Sequence, residues 1–404
     1  MDNKKIMKSK RKGFTALAMV IVAILLIVGV GLLGLGFNAR ILGIRNATAI
    51  TARCAADAGL TKALFEMNEK LKIKPWDDSN LPQATNEALP SCTATFSYNI
   101  TKDIYGVYSI ESVGKYSKAE KKVRCVLGLV SPFTSSLFVQ ENLTIKAGTK
   151  VNGYNSDDLF DTDADVKIGT NSILADSIDL GSGVVVDGQV LVGVGGDIDT
   201  VIKDGGATTG DRYAITSEME FPVVTVPPLP DKNKDIKAHG SVVMLGPADS
   251  GEYGSIDLKK GVFPSVLVIS GGQVVLHVTD YVELGNECEI VVANGASLVL
   301  YLDGDLVASN TASINNLNDP ASFKLYGTGE DQIIDLKAKS NFSGAIYAPN
   351  ADITLRANGD FYGSFVGSNI EQKSDSNFYY DETLAMSSLN DIAVHFVVKN
   401  WNEI

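Results

Sequence analysis

Histidine, tryptophan and cysteine are scarce in this chain of 404 residues, which holds only 3, 2 and 4 of them. His239, His277 and His395 stand too far apart for a metal-ligand spacing, and no G-x-S-x-G nucleophile motif occurs. Cys54, Cys92, Cys125 and Cys288 form no C-x-x-C pair, which removes zinc ribbons and thioredoxin-type redox sites. Cys92 and Cys125 fall in strand-like segments of one small region. Outside the cytoplasm they are a candidate disulfide, the plainer alternative being two buried thiols. Basic charge is short as well. Against 48 Asp and Glu there are 35 Lys and Arg, a net charge of −13. Nucleic acid is therefore excluded as an expected partner, because release of counterions by a basic surface supplies most of such binding.

What basic charge there is sits at one end. Lys4, Lys5, Lys8, Lys10, Arg11 and Lys12 crowd the first dozen positions, and from Gly13 to Ala39 no charged residue appears. The run FTALAMVIVAILLIVGVGLLGLGF exceeds the roughly 20 apolar residues that cross a bilayer. It is also longer than the apolar core of a secretory signal, about 7–15 residues. The basic flank predicts an N-terminus in the cytoplasm and the bulk of the chain outside it. Helical composition continues through ITARCAADAGLTKALFEMNEKLK until Pro75 stops it, so one helix over 14–74 is expected, of which only the first half is in lipid.

A basic leader ending in Gly13, followed at once by Phe14 and an uninterrupted apolar helix, resembles the prepilin leader of type IV pilins and type II secretion pseudopilins. Ala55 to Leu60 (A-A-D-A-G-L) resembles the segment behind the membrane helix in PilX-type minor pilins. The resemblance implies a leader over 1–13, cut by a prepilin peptidase between Gly13 and Phe14, with Phe14 as the new N-terminus. It also implies other pilins or pilus assembly proteins as partners. One position departs from the pattern. Major pilins carry a glutamate five residues into the mature chain, which is thought to pair with a neighbour's free amine during assembly; this chain has Ala18 there. That points to a low-copy or tip position, or to no incorporation at all.

Three alternating segments, CTATFSYNIT, VYSIESVGKY and KKVRCVLGLV, predict a small antiparallel β head over 75–131. Beyond Pro132 the texture changes to strands of three to five residues separated by Gly, Asn, Asp and Ser. Units such as V-x-V-x-G recur every six to ten residues, with looser repetition near twenty. Such spacing suits a β-sandwich or a parallel β-solenoid. Near-regular Gly and Asn corners favour the solenoid, a right-handed β-helix over 132–384, with a C-terminal strand over 385–404. The proline-rich FPVVTVPPLPDKNK at 221–234 predicts a surface excursion, since proline cannot donate to a central ladder. Leu300–Asp305, Leu325–Gly329, Gly344–Ala351, Gly359–Ser364, Tyr380–Glu382 and the closing HFVVKNWNEI resemble a β-helical domain often fused behind PilX-type leaders. The fold class expected is mainly β, behind a long N-terminal transmembrane helix.

Candidate chemistry is sparse. Among Asp157, Asp158, Asp161, Asp163 and Asp165, the D-x-D-x-D of Asp161, Asp163 and Asp165 begins like a calcium loop. Val166 replaces the loop glycine, and Ser172 stands where the closing glutamate belongs. A solvated acidic turn is the plainer reading, and Ca2+ is the one cofactor worth weighing. Asp303 with Asp305 forms a second acidic turn, and Arg356 stands one strand from Asp360, where an ion pair accounts for both. G-V-G-G at 193–196 lacks the strand–helix setting of a phosphate loop. The function expected is a non-enzymatic minor pilin or pilus accessory protein in the membrane, its β domain used for assembly, priming or adhesion. Two alternatives are an anchored module binding a surface glycan or protein, and a carbohydrate-active β-helix enzyme.

Overall fold

The structure is a computed structural model. It describes residues 3–158, 164–315, 319–337, 341–386 and 388–404, with side chains of the first helix from Leu17 onward. The chain divides into two compact units. One takes the chain up to Glu69 with Asp78–Gly128 and Val397–Ile404; the other takes Lys70–Asp77 and Leu129–Phe396.

The first unit is built on helix α1, Asn3–Leu71. Its two halves differ in what they meet. From Leu17 to Ile44 the large apolar side chains are exposed, and this stretch is long and apolar enough to cross a membrane. From Ala52 onward one stripe is buried: Ala52, Ala55, Ala56, Leu60, Ala63 and Met67, spaced by threes and fours as a helix face requires. That stripe lies under a five-stranded sheet. Its first four strands are β1 Gln83–Ala88, β2 Thr95–Lys102, β3 Tyr108–Tyr116 and β4 Ala119–Val130, antiparallel in sequence order. The strand His395–Glu403 adds to the far side of β4. Alternation selects the buried face: Phe96, Tyr98 and Ile100 from β2, Tyr108 and Ile110 from β3, Val123, Cys125 and Leu127 from β4.

Small residues let sheet and helix approach closely. A Cβ on Gly114 of β3 would stand 2.0 Å from the Ala52 carbonyl oxygen and 2.3 Å from the Ala56 nitrogen. One on Gly59 of the helix would stand 2.4 Å from Ser112 Oγ and 2.9 Å from the Phe96 ring. The A-A-D-A-G-L motif is therefore a packing surface, with Asp57 turned outward 4.0 Å from Arg53. Tyr98 donates to Glu66 on the helix at 2.5 Å, tying β2 to the same element. The sequence suggests three strands here, but two more join. β1 (QATNEA) is too polar to declare itself, and the last strand finds its sheet only through the tertiary fold.

In the second unit short strands pair in parallel, and the partner is usually the strand three places on. Gln273–Val278 pairs with Ser297–Leu302, which pairs with Phe323–Gly327. In-register pairing puts like on like. One inward ladder runs Ile236, Ile256, Val282, Leu306, Ile334, Ile353 and Ile370. It then passes from Ile370 to Leu143, Ile178 and Ile202. Every member is buried. An aromatic run packs beside it without sharing a register: Phe323, Phe342, Phe365 and Phe378 meet edge to face at 5.5, 5.1 and 5.0 Å. Asn315 and Asn358 turn corners at φ of 53° and 61°, the left-handed backbone that asparagine tolerates.

The step from Ile370 to Leu143 reorders the chain. Asp360–Gln372 pairs with Leu137–Val139 and Leu143–Ile145, so the last strands lie against the first. The chain enters at the middle of the array, builds to Arg212–Ala214 at one end, and resumes at Ile236–His239 at the other. Residues 215–235 must span nine strand spacings, roughly 43 Å at about 4.8 Å each. The proline-rich segment is this strap. Along its way Asn171 Nδ2 donates to Met219 O at 2.7 Å, Tyr347 Oη donates to Pro222 O at 2.8 Å, and the Glu252 amide donates to Pro230 O at 2.9 Å. Beneath it lies a second apolar cluster, on the outer face of the strands. Tyr301, Tyr326, Tyr347, Phe133 and Val366 are covered there by Phe221, Val224, Val226 and Ile392.

Two substitutions test these contacts. Gly114→Val forces backbone apart from backbone and should destabilise the head by about 2–3 kcal/mol. Its urea midpoint should fall, and an unchanged midpoint would mean that β3 does not lie on the helix. Ile370→Ala, at the junction of last and first strands, should cost about 2–5 kcal/mol. A loss under about 1 kcal/mol would argue against that junction.

Candidate functional site

Two regions hold residues beyond the needs of packing: the N-terminal half of α1, and the outer face of the parallel strands. Gly13 and Phe14 lie within the backbone of α1, and Ala18 is exposed on its apolar half. Arg40 and Arg45 are the first charged residues after the apolar run.

The acidic candidates are dispersed. Asp161 and Asp163 lie outside the described residues. Asp165 is exposed and paired with Lys167. Among the described residues, no three His, Cys, Asp or Glu converge as a metal site would require. Asp303 accepts from Thr328 Oγ1, Asp305 accepts from the Ile333 amide at 2.9 Å, and Asp352 accepts from Asn369 Nδ2 at 2.8 Å.

Two pairings read from the sequence are corrected. Cys92 and Cys125 are free thiols. Cys125 is in β4, opposite Ile110 of β3, and burial raises its thiol pKa. Cys92 lies in the turn between β1 and β2, its sulfur accepting from the Ala94 amide at 3.4 Å. Thr95, close to Cys92, is in register with Lys115 and through it with Glu120, five residues along β4 from Cys125, so the two thiols are roughly 20 Å apart, too far for a disulfide. Arg356 pairs with Asp335 rather than Asp360, through two bonds of 2.8 and 2.9 Å. Parallel register sets Asp335 beside Thr354, two residues before Arg356, while Asp360 accepts from Asn377 Nδ2 at 2.9 Å.

The outer face also assembles a trio that sequence reasoning missed. His277 Nδ1 lies 3.0 Å from Glu252 and its Nε2 lies 3.0 Å from Asp303. Glu252 and His277 are in register on neighbouring strands, and Asp303 immediately follows the next strand. Positions 252, 277 and 303 are one array level apart, so the repeat length held the signal that would have found them. The trio ties three successive strands together across their outer surface.

Next to it a cleft of about 600 Å³ opens over the outward residues Val275, Val299 and Tyr301. Pro227 and Pro228 of the strap also line it, as do Lys74, Asp391 and Ile392. Lys74 Nζ donates to Leu389 O, and Lys324 stands 3.2 Å from Asp391. Burial pulls the Lys74 pKa from an ordinary 10.5 down to about 8, with Asp391 opposing that shift.

Residues 233–387 match a family described as a domain of unknown function (DUF7305), a stretch that starts where the strap ends and covers the second half of the array. No curated protein matches. A solved structure, the competence-associated pilin ComZ from Thermus thermophilus, aligns over 88% of this chain and 97% of its own at 12% identity. Its TM-score is 0.22, which establishes no common fold.

The lysine gives a pH test. Between about pH 8 and 10.5 the unfolded chain holds a proton on Lys74 that the folded chain has released, so stability rises with pH across that window. Below pH 8 both states are charged and the slope vanishes. Urea midpoints of the parent and Lys74→Met should therefore diverge from pH 8 to 10. Parallel curves would show that Lys74 titrates as an exposed lysine.

Proposed function

We propose that this chain is a membrane-anchored, pilus-associated accessory subunit whose role is mechanical and adhesive rather than catalytic. The observation that carries the reading is the division of α1. One continuous helix leaves Leu17 to Ile44 exposed and apolar, then buries the Ala52–Met67 stripe under an antiparallel sheet. An apolar half without a partner surface suits insertion in lipid or packing among other apolar helices. A half that is locked to a sheet suits a rigid stalk for what it carries. The Gly13–Phe14 junction and the A-A-D-A-G-L segment support the same reading by their resemblance to prepilin leaders and PilX-type minor pilins. Alanine at position 18 favours a low-copy place over that of the repeating subunit.

In this reading the leader is cytoplasmic and is removed by a prepilin peptidase, and the β domain is displayed outside the membrane. The parallel strands are read as a three-sided β-solenoid, in which three strands complete one level and the strap braces both ends. That suits display: an extended, stiff outer face available for priming, assembly or attachment to a surface glycan or protein. The carboxylates that a glycosidase would need are instead engaged in structural hydrogen bonds at Asp303, Asp305 and Asp352, which favours display over hydrolysis.

Intact-mass and N-terminal analysis of the protein from its native membrane tests the pathway. A mature chain beginning at Phe14 is expected, and Gly13→Leu should leave the leader attached. A parent chain that keeps its basic leader would reduce this protein to an ordinary single-pass anchor.

A further inference from the structure

The cleft beside the strap has a chemistry at odds with the rest of the molecule. In a chain of net charge −13, its lining carries Lys72, Lys74 and Lys324 against a single carboxylate, Asp391. Its floor is apolar: Val275, Val299 and Tyr301 on the outer face of adjacent parallel strands, with Tyr326 beyond. Tyr301 is only 2% exposed, and it lines the cleft. Burial pushes its phenol up to about 12, so the hydroxyl remains a donor at neutral pH. An apolar floor, a phenol hydroxyl in the lining and a cationic rim are complementary to one kind of molecule. Its volume of about 600 Å³ suits a small ligand rather than a folded partner.

We infer that this cleft binds an aliphatic monocarboxylate, its chain lying on Val275 and Val299 and its carboxylate held by Lys74, Lys324 and the Tyr301 hydroxyl. A fatty acid and the free C-terminus of an apolar peptide share this chemistry. The site does not depend on the chain's place in any pilus. Lys324 is already neutralised by Asp391 and Lys74 is half-buried, so the incoming carboxylate replaces lost hydration at Lys74 in particular.

The test uses the full-length chain in amphipol, titrated calorimetrically with sodium octanoate and with octanol. Octanoate should bind at least about tenfold more tightly than octanol, the worth of one charge-assisted hydrogen bond. Lys74→Met and Tyr301→Phe should each weaken octanoate about fivefold or more and leave octanol unchanged. Val299→Trp, which fills the floor, should abolish both. Octanoate should also raise the pH at which Lys74 titrates, a shift that a purely structural lysine would not show. A short Val-Leu-Leu peptide with a free C-terminus, compared with its amide, separates the two sources. Tighter binding of the free peptide than of octanoate assigns the site to chain ends, and the reverse assigns it to fatty acids. Equal binding of octanoate and octanol, binding unaffected by Val299→Trp and by Lys74→Met, or no heat up to about 5 mM octanoate would overturn the inference.

Discussion

In-register parallel pairing is the constraint on which the β domain rests. A short strand here has one inward face and no core of its own, so its inward residues are buried only when the next level lies against them. The ladder from Ile236 through Ile370 to Leu143 and Ile202 is the outcome, with each aliphatic side chain capped by its counterparts above and below. Burial of each such side chain contributes about 1.5–3 kcal/mol relative to exposure. No single level could balance the entropy of ordering its strands and turns. A polar residue at one inward position would leave two neighbouring levels without a partner. Between strands the chain turns at residues able to hold left-handed backbone, Asn315 and Asn358 among them.

Entry of the chain at the middle of the array has further consequences. Growth in two directions leaves two ends to connect, and only a lengthwise strap can connect them. Such a segment cannot take part in the ladders without displacing a strand, and prolines keep it extended and out of them. An extended segment still needs something to lie on. The outer tyrosines provide it, so this domain has an apolar cluster outside its strands as well as one within. The strap and residues 390–392 both line the cleft that lies over part of that outer apolar surface.

The helix solves a different problem with the same economy of side chains. Its N-terminal half is apolar all round, as a segment without a protein partner in lipid must be. Its C-terminal half is apolar along one stripe, and there alanine and glycine replace larger residues so that a sheet can lie within backbone distance. Gly59 and Gly114 face that interface from opposite sides. The two halves thus give one element with a stretch long and apolar enough to cross a membrane and a stripe that packs against a sheet.

Much of this was legible in the residues. Length and uniform apolarity marked a helix long and apolar enough to cross a membrane, since a bilayer demands about 20 such residues whatever surrounds them. Period-two alternation marked β2, β3 and β4, and the change of texture after Pro132 marked the short parallel strands. Local patterns of this kind are set by chemistry within a few residues. Pairing is not. That Asp360–Gln372 meets Leu137–Val139, that the last strand joins a sheet begun three hundred residues earlier, and that Arg356 takes Asp335 were decided by register between distant segments. Cys92 and Cys125 share a region yet are kept apart by the strand between them. The Glu252–His277–Asp303 trio and the cationic cleft likewise come together only when successive levels stack. The sequence by itself determined the helix, the apolar strands and the strap, though not the polar β1, because each must satisfy its own backbone and bury its own apolar face. Which segments become neighbours was left to the tertiary structure, because many strands here offer nearly the same inward pattern and only the packing of the whole array chooses among them.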